Sequence, residues 1–122
     1  MAKGKILIID DEKLLVRSTC IALACYDFLT ESALDGKEGL AKARDCHPDL
    51  ILLDIMMPAM DGWQVLERLK KDEAIKNIPV IIFTAKEYSD GKTLAEKKGA
   101  VDFIAKPFEL DDLVEIIGKY TG

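Results

Sequence analysis

A doubly wound α/β fold, a parallel sheet with helices on both faces, is what this sequence predicts. Three observations lead there. Ile6-Leu7-Ile8-Ile9, Leu50-Ile51-Leu52-Leu53 and Val80-Ile81-Ile82-Phe83 are unbroken apolar runs of strand length. Strands covered on both faces read this way, whereas half-exposed strands alternate. The stretches between them carry apolar residues at helical spacing, and strands alternating with helices imply βαβ units. Turn residues then fall at the joins.

The elements follow in order. The first strand runs into Asp10-Asp11-Glu12, and a helix follows from about Lys13. No glycine marks its end, and Tyr26-Asp27 is the best join. Phe28 to Ala33 alternates weakly, with Leu29, Glu31 and Ala33 opposite Phe28, Thr30 and Ser32, as an outer strand would. Asp35-Gly36 precedes a helix holding Leu40 and Ala43, which Pro48 ends. The third strand closes on Asp54. Asp61-Gly62 starts a helix striped by Trp63, Val65, Leu66 and Leu69, and Asn77-Ile78-Pro79 introduces the next strand. Glu87 to Lys98 is polar, contains Gly91 and offers mainly Leu94 and Ala95 for burial, so its helix should be marginal. Gly99 after Lys97-Lys98 is a helix C-terminal signal. Val101 to Ala105 is a last short strand, with Asp102 at an edge, before a helix striped by Leu110, Leu113, Ile116, Ile117 and Tyr120.

At 122 residues, 49% hydrophobic and 32% charged, the chain reads as one ordered domain spanning 1–122, with no output domain in view. Its apolar runs are too short to cross a bilayer, and Met1-Ala2-Lys3-Gly4-Lys5 does not begin a secretory signal, so a cytoplasmic location is expected. A net charge of −5 disfavours direct nucleic-acid binding. Cys20, Cys25 and Cys46 form no CxxC pair and have only His47 for company, which reads as reduced, partly buried cysteine and not a zinc site.

The chemistry lies at the strand ends. In an open parallel sheet the carboxyl ends of the strands share one rim, where ligands bind at the switch in strand order. Asp10 and Asp11 follow the first strand and Asp54 the third, so three carboxylates should meet there. Like charges so placed raise some pKa values unless a cation compensates, and Mg²⁺, a hard dication favouring oxygen, suits them. Asp10, Asp11 and Glu12 could instead cap the next helix, where negative charge is favoured. Thr84-Ala85 follows Phe83, and Lys106-Pro107 follows Ile104-Ala105. Lys106 could be no more than a salt-bridge partner. With a metal and a hydroxyl, however, the set has the parts of phosphoryl transfer, with Asp54 as the nucleophile.

These residues carry a resemblance. Ile9-Asp10-Asp11-Glu12, Asp49 through Asp54 and on to Met56-Met57-Pro58-Ala59-Met60-Asp61-Gly62, Phe83-Thr84-Ala85 and Lys106-Pro107-Phe108 together resemble the response-regulator receiver domain of two-component signalling, nearly end to end. The resemblance implies a (βα)₅ flavodoxin-like sheet of order 2-1-3-4-5 and a phosphorelay switch. Asp54 would accept a phosphoryl group as an aspartyl phosphate, from a sensor histidine kinase or histidine phosphotransfer protein. Asp11, Asp54 and the Met56 backbone carbonyl would ligate Mg²⁺ directly, and Asp10 mainly through a bound water. Thr84, the Ala85 amide and Lys106 would hold the phosphoryl oxygens. It also implies a cis peptide at Lys106-Pro107 and a switch in which Thr84 moves and Phe103 rotates inward. The face of the fourth helix, fifth strand and fifth helix would then change its affinity for a downstream protein or fused output domain. Receivers often carry glycine where this chain has Asp27 and Ala59; Met56 and Lys86 flank the acceptor and could tune its hydrolysis; His47 is given no role. Such a domain is not a turnover enzyme. The alternatives are a haloacid-dehalogenase-like Mg²⁺-dependent phosphatase, which would want a second acid two positions after its nucleophile on the first strand, and a degenerate receiver that only binds partners. A flavodoxin would need a Ser/Thr/Gly-rich phosphate loop where Asp10 and Asp11 stand.

Overall fold

The computed structural model describes residues 3–85 and 89–121. Strands and helices alternate as β1 (Gly4–Ile9), α1 (Lys13–Ala24), β2 (Phe28–Ala33), α2 (Gly36–Cys46), β3 (Leu50–Leu53), α3 (Gly62–Lys71), β4 (Val80–Thr84), α4 (Gly91–Lys97), β5 (Asp102–Ala105) and α5 (Leu110–Thr121). The strands form one sheet in the order β2-β1-β3-β4-β5, every neighbouring pair parallel. This is the expected doubly wound flavodoxin-like fold, with β2 on the outside. The order reverses direction at β1 and β3, so the crevice beyond their carboxyl ends is where a ligand site belongs.

Why the strands show no alternation is plain from burial. Every residue from Ile6 to Ile9 and from Leu50 to Leu53 has 0% exposure. Successive side chains still point to opposite faces. Leu7, Ile9, Ile51, Leu53 and Ile82 pack with Leu40 of α2 and with Val65, Leu66 and Leu69 of α3. Ile6, Ile8, Leu50, Leu52 and Phe83 pack with Val16 and Leu23 of α1 and with Leu113 and Ile117 of α5. Each such side chain contributes about 1.5–3 kcal/mol of transfer free energy.

Caps fix where the helices start. Asp35 accepts from the Glu38 amide at 2.8 Å, and Asp61 forms a capping box with Gln64. Asp90 accepts from the Thr93 amide at 3.1 Å. Glu12, at the N-cap of α1, makes no side-chain cap bond. Capping therefore does not account for Glu12.

Two joins without glycine nevertheless use left-handed backbone: Asp27 at φ 69° and Ala59 at φ 66°. Aspartate tolerates that region through its short polar side chain, whereas alanine strains by roughly 1–2 kcal/mol. His47, at φ 44°, caps the end of α2 and so has a structural place. The cysteines are free, but Cys25 is exposed and not partly buried as expected. Asp102 lies on an edge strand, as expected. It starts the edge strand yet is buried, because Tyr120 Oη donates to its Oδ2 at 3.0 Å and the Phe103 amide to its Oδ1 at 2.8 Å. No helix among the described residues is long and apolar enough to cross a membrane.

Candidate functional site

Ladder bonds carry on past the strand ends and fix the site's backbone. The Asp10 amide donates to the Ala33 carbonyl at 3.1 Å, the Asp54 amide to Ile9 at 2.9 Å and the Lys106 amide to Thr84 at 2.9 Å. Residues 10, 54 and 106 are thus placed by the sheet and not by flexible loops. Behind Asp54, the Asp61-Gly62 turn presses close. A β-carbon at position 62 would lie 2.2 Å from the Asp54 carbonyl oxygen, so only glycine fits. The Gly62 amide donates to the Ile55 carbonyl at 2.9 Å, tying the start of α3 to the acid's strand.

Three acids and one cation meet at this point. Asp10 has 0% exposure and Asp54 2%. Lys106 Nζ donates to Asp10 Oδ2 at 2.6 Å and to Glu12 Oε1 at 3.1 Å, and lies 3.5 Å from Asp54 Oδ2. It also sits 4.8 Å above the Phe83 ring centroid, a cation–π contact that supports the charge from below. The second oxygen of Asp10 accepts from the Glu12 amide at 2.9 Å, and Asp54 Oδ1 accepts from the Met56 amide at 3.2 Å. Among the described residues no buried side-chain nitrogen or oxygen lacks a partner.

The electrostatics follow from this crowding. Burial pushes the Asp10 carboxyl above its ordinary range and the Asp54 charge adds to it, while Lys106 and the Glu12 amide pull the other way. For Lys106 burial alone would lower the pKa, but the hydrogen bond to Asp10 and the charges of Asp10 and Asp54 outweigh it and hold the amine above its ordinary value. One lysine thus answers three carboxylates, an arrangement with room for a second positive charge.

Carboxylate oxygens of Asp10, Glu12 and Asp54 come within 4.8 Å of one another. A set made only of oxygen donors fits a hard dication such as Mg²⁺. Asp11 is exposed and outside this group, while Glu12, read from sequence only as a capping residue, is inside it. The signal was its position two residues after Asp10, where a turn can bring it back to the rim. Met56 contributes its amide to Asp54, and its side chain is exposed. Thr84 is buried at the end of β4, and Ala85 is exposed beside it. Ala85, Glu12 and Lys106 line the head of a groove of about 540 Å³ that continues over Leu15, Phe108 and Leu113. Phe103 is half-buried on β5 against the core shared with α3. The Lys106-Pro107 peptide is cis. Lys86 lies outside the described residues.

Comparison with known proteins gives a consistent answer. Residues 6–118 match the family described as response regulator receiver domain. Protein PilG of Pseudomonas aeruginosa is 36% identical over 119 residues, covering 96% of this chain and 87% of that protein. The DNA-binding dual master transcriptional regulator RpaA of Synechocystis is 37% identical over 110 residues, 90% of this chain. The chain spans 46% of RpaA and smaller shares of several other curated relatives. Among solved structures, the Francisella response regulator 1452 receiver domain superposes with a TM-score of 0.89 at 32% identity, covering 97% of this chain and 96% of that one.

Proposed function

The chain belongs to the response regulator receiver domain family, and on that premise we propose that it takes a phosphoryl group from a phosphohistidine onto Asp54 and so alters its affinity for a partner. The observation that carries this reading is the position of Asp54. It is buried at the end of β3, with Lys106 Nζ 3.5 Å from one oxygen and the Met56 amide 3.2 Å from the other. A carboxylate so held is pre-oriented, which is most of what phosphoryl transfer asks of a protein.

In the transfer, an Asp54 oxygen bonds to phosphorus as the donor's P–N bond breaks, and the departing imidazole keeps the electron pair and gains a proton. Lys106, the Thr84 hydroxyl and the Ala85 amide are the groups we assign to the phosphoryl oxygens. Asp10, Asp11, Asp54 and the Met56 carbonyl are those we assign to Mg²⁺, with Glu12 able to join or to stay with Lys106. When bound, the ion would neutralise charge on the transferring group. Phosphorylation adds roughly −1.5 to −2 charges and three acceptor oxygens. Thr84 then moves toward the group, Phe103 turns inward, and the α4–β5–α5 face changes. The donor is a sensor histidine kinase or phosphotransfer protein, and the receiver of the signal is a downstream protein or fused output domain. We place the exchange in the cytoplasm and regard the domain as a single switch without turnover of a small substrate.

Incubation with acetyl phosphate and Mg²⁺, followed by intact-mass measurement, tests the reading. Wild type should gain the mass of one phosphoryl group, and Asp54→Asn none. Equal labelling of the two, or turnover of a phosphate ester without a stable adduct, would refute it.

A further inference from the structure

Gly91 opens α4 immediately after its N-cap Asp90, whose carboxylate accepts from the Thr93 amide at 3.1 Å and the Thr93 hydroxyl at 2.7 Å. Helix formation gives no reason for glycine there, since alanine is the better helix former. The backbone gives none either, because Gly91 is not among the residues with positive φ. What accounts for it is the neighbour. A β-carbon at position 91 would lie 2.7 Å from Phe103 Cε1 and 2.8 Å from Cδ1 and Cζ. Three ring atoms cannot all retreat unless the whole ring swings about its first torsion. Gly118, inside α5, is the contrast: a β-carbon there would meet nothing within 4 Å.

We propose that Gly91 is a positioning residue for Phe103: its bare α-carbon is the seat in which the ring rests, and the missing methyl sets the resting balance of the switch. The proposal depends on the reading of Phe103 as the side chain that moves. A methyl at position 91 penalises the seated ring and leaves an orientation turned toward Thr84 untouched. Swinging outward instead would put an aromatic face into water, an unfavourable exchange. A protein released from the seated form must bind the activating group more tightly, by the factor by which its competent population has risen.

The experiment titrates beryllium fluoride, a stable phosphoryl mimic, with Mg²⁺ into wild type, Gly91→Ala, Phe103→Ala, the double variant and Gly118→Ala. Phenylalanine-ring NMR signals and Trp63 fluorescence follow saturation. Gly91→Ala should lower the half-saturating concentration roughly fivefold or more. Gly118→Ala should leave it unchanged, and in the Phe103→Ala background the Gly91 substitution should add nothing. If wild-type ring signals stay put at saturation, the moving-ring reading falls and this inference with it. If they move but Gly91→Ala titrates like wild type, only the role of Gly91 is overturned. An equal Gly91→Ala effect with and without the ring would also overturn it, since helix propensity alone would then be acting.

Discussion

Behind Asp10 and Asp54 lie two strands whose residues from Ile6 to Ile9 and Leu50 to Leu53 are all at 0% exposure, and α3 presses Val65, Leu66 and Leu69 against one side of them. On the same face but at the β5 edge, α4 is seven residues long with Ala95 as its buried contact, and Phe103 of β5 is half-buried over Gly91. On the function proposed above, the first region would hold the reacting groups, and the second what has to move. Reacting groups must be fixed to a fraction of an ångström, which dense packing supplies. A readout element must change place for the free energy of one modification, which thin packing permits. The two demands conflict, and this chain assigns them to the centre and to one edge of the same sheet.

The largest test of that contrast is a pair of truncations. Leu52→Ala in β3 should cost about 2–5 kcal/mol in urea unfolding, whereas Leu94→Ala in α4 should cost under about 1 kcal/mol. Similar losses would break the comparison. Next, Mg²⁺ at ten times its Kd should raise the unfolding free energy by about 1.4 kcal/mol, and less in Asp54→Asn. Such stabilisation would sharpen the account of the rim as the ligand end; its absence would remove the ion from it. The smallest effect concerns the strain beside the rigid end. Ala59 sits at φ 66° in the loop after β3, so Ala59→Gly should gain roughly 0.5–1 kcal/mol by calorimetry, the relief of left-handed strain less the added freedom of the unfolded chain. A loss there would mean that the alanine methyl packs usefully.

How much of this was legible beforehand follows the same division. The bounds of β3, the outer place of β2 and the meeting of Asp10 with Asp54 could be read, because a continuous apolar run, a weak alternation and strand-end acids are local signals. The place of Glu12 could not, since it depends on how the chain turns after Asp10 to bring that carboxylate 3.1 Å from Lys106. The burial of Asp102 could not be read for a similar reason. Its partner, Tyr120, lies 18 residues away on α5, and no local pattern announces that bond. The glycine substitutes Asp27 and Ala59 looked like departures from family habit, yet the backbone keeps its left-handed turn at both. The Gly91–Phe103 contact was invisible because a glycine inside a polar helix reads only as weakness.

Gly62 bears on how variants of this protein will be read. Its α-carbon backs directly onto the carbonyl of Asp54, so any larger residue there shoves the Asp54 peptide out of line. In an activity screen such a variant would score as a loss-of-chemistry mutant, although position 62 carries no reactive group. Sorting it correctly takes a structural probe of Asp54 rather than a rate.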